Sequence, residues 1–235
     1  MRIAVLFAAA LLVAGCTQGP PRTTELTPIT PSRGASSTPG PPNPKSTVPS
    51  TSTATTEPSS AAPRGGAPVA AAISWVEAAP PVDAADFAVA LRSGTTTPLG
   101  DDVAFTTPSG TRCMTDVKRG AADLACLVDL TDPPPQPPEV YGAWKAGWVD
   151  FNGADVRIGS SHGDPGRFAA GQGPPLPADR SLSFGDYRCR TDADALICVN
   201  YARQTAVRYS DDGIETFGCT RLSPPAAGVG IQYSC

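Results

Sequence analysis

Gly185-Asp-Tyr-Arg-Cys189-Arg-Thr-Asp-Ala-Asp-Ala-Leu-Ile-Cys198-Val-Asn200 is the stretch that decides the fold. Asp192 and Asp194 supply turn chemistry. Leu196-Ile-Cys198-Val199 behind them is a short apolar run of strand type. A second stretch has the same form: Gly110-Thr-Arg-Cys113-Met-Thr-Asp116, then Leu124-Ala-Cys126-Leu-Val128. Both read Cys-x-Thr-Asp, a polar tip, then Leu-x-Cys. In each, two strands joined by a turn bring the cysteines opposite one another. The expected bonds are therefore Cys113–Cys126 and Cys189–Cys198, which leaves Cys219 with Cys235. The repeat reads either as an internal duplication of one hairpin or as two hairpins under similar demands.

An even set of cysteines in an exported chain is a disulfide framework, and the N-terminus supplies the export signal. Met1-Arg2 is a minimal positive segment, residues 3–13 are apolar, and Ala14-Gly15-Cys16 follows. This is a secretory pattern, too short for the ~20 apolar residues that span a bilayer. Leu12-Val-Ala-Gly-Cys16 resembles a bacterial lipobox, in which the cysteine thiol is alkylated with lipid and the chain is cut just before it. Cys16 is thus the expected lipidation site, residues 1–15 the signal peptide, and palmitate-type acyl chains the anchor in the cell membrane. Zinc is the rival use of paired cysteines. The spacings are not Cys-x2-Cys and His162 is the single histidine, so no metal site or cofactor is expected.

From residue 17 to 68 the chain holds 12 prolines and no aromatic residue. Such a segment cannot bury enough apolar surface to offset its conformational entropy. It reads as a disordered Pro/Ser/Thr tether, either O-glycosylated or plain, so that residues 16–69 link the anchor to a folded domain at 70–235. All three Trp and all five Tyr lie in that domain. Apolar runs at 87–91 and 103–105, separated by turn residues 99–102, predict strands. Thr107-Pro-Ser-Gly110 is a turn by composition. Asp211-Asp-Gly213 between two β-rich runs predicts a hairpin, with Asp-Gly suited to a type I′ turn. The five prolines within 132–138 demand an irregular crossing. Asp83 is placed to cap a short helix over 82–88. The expected fold is mainly β: a small disulfide-stapled sandwich or irregular barrel with long Pro/Gly loops.

Formal net charge is −4, with no basic run. Nucleic acid is therefore not an expected partner. Gly159-Ser-Ser161-His162-Gly163 matches G-x-S-x-G literally. The α/β-hydrolase elbow needs a histidine downstream and a helix directly after the serine. Here His162 adjoins Ser161 and turn residues follow, so the segment reads as a Gly/Ser turn and no catalytic residue is assigned. Asp101-Asp102, Asp192/Asp194 and Asp211-Asp212 are turn positions; paired carboxylates for glycan cleavage would have to flank a cleft. Trp144 and Trp148, with Tyr141 and Phe151 nearby, are either core or an exposed platform for sugar rings or a partner.

With these elements in place, the chain resembles mycobacterial lipoproteins, specifically the LppI-like group, within a wider set of actinobacterial secreted domains. The residues that carry the resemblance are the lipobox, Phe105-Thr-Thr-Pro-Ser-Gly110-x-x-Cys113, the paired Leu-x-Cys elements and Phe184-Gly-Asp-Tyr-Arg-Cys189. The wider set carries F-x-[ST]-P-S-G-x-x-x-C; here only two residues separate Gly110 from Cys113. Cys198-Val-Asn200 fits the end of its second element. The resemblance spans roughly 72–235, is structural, and carries over no functional residue. The anchor, the long tether and the missing catalytic group give the expectation of a lipoprotein on the extracytoplasmic face that binds a glycan, a lipid or an envelope protein. The alternatives are a carboxylate-dependent enzyme on cell-wall glycan or lipid, and a structural surface protein.

Overall fold

The computed structural model describes residues 61–117, 121–161 and 165–235. The signal segment 1–15, Cys16, the tether to residue 60 and His162 lie outside the described residues. After helix α1 (Val69–Glu77) comes a small hairpin, β1 (Val89–Arg92) and β2 (Thr95–Pro98). A five-stranded meander follows: β3 (Ala104–Thr106), β4 (Arg112–Asp116), β5 (Ala121–Leu127), β6 (Trp144–Phe151) and β7 (Asp155–Ser161). A second meander runs β8 (Arg180–Phe184), β9 (Tyr187–Thr191), β10 (Leu196–Asn200), β11 (Thr205–Ser210) and β12 (Gly213–Phe217). The chain then returns. Strands β13 (Arg221–Ser223) and β14 (Val229–Ser234) extend the first meander beyond β7 into a seven-stranded sheet.

Of the two architectures open to the sequence, this is the sandwich. The sheets stay separate and antiparallel, and their inner faces share one core. Phe105, Leu124, Val149 and Phe151 come from the seven-stranded sheet, and Leu182, Leu196, Val207 and Tyr209 from the five-stranded one. Burying each such side chain contributes roughly 1.5–3 kcal/mol. The Tyr187 hydroxyl crosses the sandwich and donates to the Phe151 carbonyl at 2.9 Å. Burial pushes that phenol up to about 12.

All three expected disulfides are present: Cys113–Cys126, Cys189–Cys198 and Cys219–Cys235, with sequence separations of 13, 9 and 16. Cys113 stands directly opposite Cys126 on β4 and β5, and Cys189 opposite Cys198 on β9 and β10. All four are buried in the common core. Each bond therefore ties the second strand of a meander to the third. On the chain-entropy model, loops of this length are each worth about 3 kcal/mol.

Helix α1 is absent from the sequence reading, which extended the tether to residue 69. Its Ala72, Trp75 and Val76, spaced as one helical face, pack on Ile197, Val199, Ala206 and Phe217 of the five-stranded sheet. Arg190 fixes it there. Its guanidinium lies 4.0 Å from the Trp75 ring centroid and donates to the Trp75 carbonyl at 2.7 Å and to Asp179 at 2.9 Å. With both faces covered, every residue of β10 and β11 is buried. That is why β10 reads Leu-Ile-Cys-Val without alternation. The packed body also starts upstream of the expected boundary. Ala62 and Ala67 pack against the α1 cluster, and the Gly65 N–H donates to Glu215. Composition marked this stretch as tether because Ala and Pro reveal no packing partner by themselves.

Three local expectations are adjusted. The helix over 82–88 is a single 3-10 turn, Ala84–Phe87, with Asp83 accepting from the Ala85 N–H as its cap. Phe87 closes that turn, so the strand begins at Val89. The Asp211–Gly213 hairpin forms, but neither Asp211 nor Asp212 has positive φ, so the turn is not type I′. Gly213 instead opens β12 at φ +147. Positive φ at both turn residues occurs at Ser93 and Gly94, in the β1–β2 hairpin.

The third bond differs from the others: Cys219 and Cys235 are both exposed. A dithiol reductant under native conditions should therefore open Cys219–Cys235 alone. Alkylation and peptide mapping should label those two thiols first. The other four should react only as the sandwich unfolds.

Candidate binding clefts

Strand β6 places its aromatic residues in packing positions. Trp148 is 2% exposed, edge-on to Phe168 at 5.4 Å, with the Lys145 ammonium 5.3 Å from its ring centroid. Trp144 is half-buried and its indole N–H donates to the Pro134 carbonyl at 3.2 Å. Its ring lies over Gly159, where a Cβ would come within 2.5 Å of it, and beside Gly230. Proline strap, indole and two glycine backbones form one stack on the outer face of the seven-stranded sheet. Trp144 and Trp148 are thus not a ligand platform. Their cover comes from 132–138, shortly before Trp144 in the chain, and from the 3-10 turn Gly166–Ala170, farther along it. Tyr141 is 88% exposed. Trp148→Ala should lower stability by about 3–5 kcal/mol in urea unfolding, while Tyr141→Ala should leave the midpoint within experimental error.

Ser161 ends β7, opposite Trp144, and its N–H donates to the Gly228 carbonyl. The segment Gly159–Ser161 is strand, not the expected turn, and the next described element is a 3-10 turn, not a helix. Among the described residues nothing builds a nucleophile elbow.

The carboxylates singled out in the sequence organise turns. Asp102 accepts from the Thr115 hydroxyl and the Val117 N–H, both at 2.8 Å. Asp192 accepts from the N–H groups of Asp194 and Ala195. Asp211 accepts from the Asp212 N–H. Sequence reasoning missed Asp123, Asp150 and Asp155, on neighbouring strands β5, β6 and β7. Strand alternation gives each its outward face, but only the pairing register makes them neighbours. Arg167 lies 3.8 Å from Asp150 and donates to the Asp123 carbonyl. Burial raises the Asp123 carboxyl above its usual range, with Arg167 opposing. Asp155 is held below its usual range, chiefly by the Ser234 hydroxyl donating at 2.7 Å and also by Asn152 and Arg157.

These two shifts act oppositely on stability. A depressed carboxyl favours the folded state above its unfolded pKa, ~3.9, and loses that contribution as pH falls. A raised one opposes folding as pH climbs through the same range. Asp155→Asn or Ser234→Ala should therefore flatten the acid limb of a stability–pH curve and lower stability at neutral pH. Asp123→Asn should leave neutral-pH stability unchanged or raised. Urea midpoints across the acid range read both.

Among the described residues, three concave regions stand beside a recess of about 190 Å³ at Leu99, Asp101, Asp102 and Val117. A polar, open cleft of about 520 Å³ has Ser109, Asp129, Thr131 and Asp211 on its walls. A second, of about 400 Å³, is walled by Leu91, Arg92, Ser93, Arg112, Phe168 and Gln172. The third, about 150 Å³ and apolar, opens between the sheets beside Val103, Val117, Phe184 and Tyr187. Phe184 stacks on Tyr187 there, with ring centroids 5.6 Å apart. Asp123 and Asp150 line none of the three. Among the described residues no three His, Cys, Asp or Glu side chains converge as metal ligands, and no helix is long and apolar enough to cross a membrane. No family model matches this chain, and no curated protein or solved structure matches it.

Proposed function

We propose that this chain is a lipoprotein of the cell envelope. In this reading it is held to the outer face of the membrane through lipid on Cys16 and displays a rigid, non-enzymatic binding domain on a tether. The observation that carries the reading is the complete pairing of the six cysteines of the sandwich. Bonds of this kind persist in oxidising compartments, which agrees with the export signal and with the resemblance to mycobacterial lipoproteins. The ligand is a glycan, a lipid or an envelope protein. A carboxylate enzyme needs two acids across a cleft. Asp123 and Asp150 lie together on a sheet face beside Arg167, so the pair such an enzyme would use is Asp129 and Asp211, on the walls of the 520 Å³ cleft.

The anchor is tested on the chain expressed in an actinobacterial host. The intact mass of the mature protein should correspond to cleavage before Cys16 plus acyl groups. Cys16→Ser should move the protein from the membrane fraction to the medium. An unmodified Cys16 thiol on membrane-free protein would overturn the proposal.

A further inference from the structure

On the outer face of the seven-stranded sheet, the tip of the β1–β2 hairpin, the start of β4 and the turn Gly166–Ala170 enclose the 400 Å³ cleft. Among the described residues two cations line it, Arg92 and Arg112, and no carboxylate does. That is a local reversal of sign in a chain with 22 acidic and 18 basic side chains. Arg92 is held in place, donating to the Ala169 carbonyl at 2.8 Å. Among the described residues Arg112 has neither an ion pair nor a side-chain hydrogen bond. Two guanidinium groups facing one recess repel each other, and a shared anion turns that repulsion into charge-assisted hydrogen bonds.

Beside Ser93 and Gln172, the wall has an apolar part made by Leu91, Pro165 and Phe168. Leu91 is 43% exposed, one of few large apolar side chains left in water, and Phe168 is backed edge-on by Trp148. The wall is also rigid. Leu91 exchanges both backbone hydrogen bonds with Gln172, at 2.7 and 3.1 Å. Fixed geometry of this kind lowers the ordering cost of binding. The other described clefts lack the combination: those at Asp129/Asp211 and at Asp101/Asp102 are lined by carboxylates, and the one between the sheets is much smaller and has no cation among its lining residues.

The geometry points to a site for a small anionic amphiphile, its phosphate or carboxylate head between Arg92 and Arg112 and its alkyl chain against Leu91 and Phe168. This names a ligand class for the binding domain proposed above, but the cleft can be tested without the anchor.

The full chain carrying Cys16→Ser is titrated calorimetrically with monomeric octyl phosphate. Inorganic phosphate probes the head alone and octyl glucoside the chain alone. Octyl phosphate should bind more tightly than either. Arg92→Ala and Arg112→Ala should each weaken it about tenfold or more, and Leu91→Ser should weaken it as well. Arg180→Ala, which removes an exposed cation from β8, should change nothing. Peptide mapping of the three disulfides and circular dichroism establish that each variant is folded. Phosphatidylglycerol vesicles separate the two sources of such a head. Arg112-dependent capture identifies a lipid headgroup, and octyl phosphate binding without capture identifies a free amphiphile; either upholds the site. Absence of octyl phosphate binding, equal binding of octyl glucoside or of inorganic phosphate, or indifference to both arginine substitutions would overturn it. Native protein with an unacylated Cys16 that still binds octyl phosphate would sink the anchor and leave the cleft standing.

Discussion

Cysteines opposed across neighbouring strands set the register of both sheets, and the remainder of the molecule follows from that register. A slip of one residue in a β-pair moves every side chain to the other face. With Cys113 bonded to Cys126 and Cys189 to Cys198, that slip is closed off in each meander. The inward set is then fixed: Phe105, Leu124, Val149 and Phe151 against Leu182, Leu196, Val207 and Tyr209. The outward set is fixed with it, including Arg112 beside Cys113, Arg190 beside Cys189, and Asp123, Asp150 and Asp155 on three neighbouring strands. The cleft at Arg92 and Arg112 takes Arg112 from the outward set, so it inherits part of its geometry from bonds in the core.

The two meanders are alike inside and different outside. In each, the second and third strands carry the bond, which agrees with the similarity between residues 110–128 and 185–199. The five-stranded sheet is roofed by α1, which Arg190 clamps through the face and carbonyl of Trp75. The seven-stranded sheet is covered piecemeal by the β1–β2 hairpin, the Gly166–Ala170 turn and the proline strap with Trp144. Piecemeal cover leaves recesses between its parts, whereas a single helix lying flat does not. The Arg92–Arg112 cleft sits in one of those seams.

What could be read from the sequence was local. The hairpins at 113–126, 189–198 and 205–217 announce themselves because partner strands adjoin and turn residues lie between them. The strap at 132–138 and the cap at Asp83 were legible for the same reason. Helix α1 was not, because an Ala-rich run after a Pro/Ser/Thr tract resembles more tract until the sheet beneath it is known. The burial of Trp148 depends on Phe168, twenty residues away and outside its own hairpin. The turn at Asp211 has the composition of one type and the geometry of another, because the glycine falls one place later in the pairing than the motif requires. The cleft draws on residues near 91, 112 and 170, three segments with no motif in any of them.

Every cysteine of the sandwich is joined to the next one along the chain. A polypeptide that emerges through a membrane N-terminal end first therefore meets its oxidant in an order that gives native bonds. The first thiol to find a neighbour has found its own partner, and so on in sequence. On such a route, mispaired species that need slow reshuffling are bypassed.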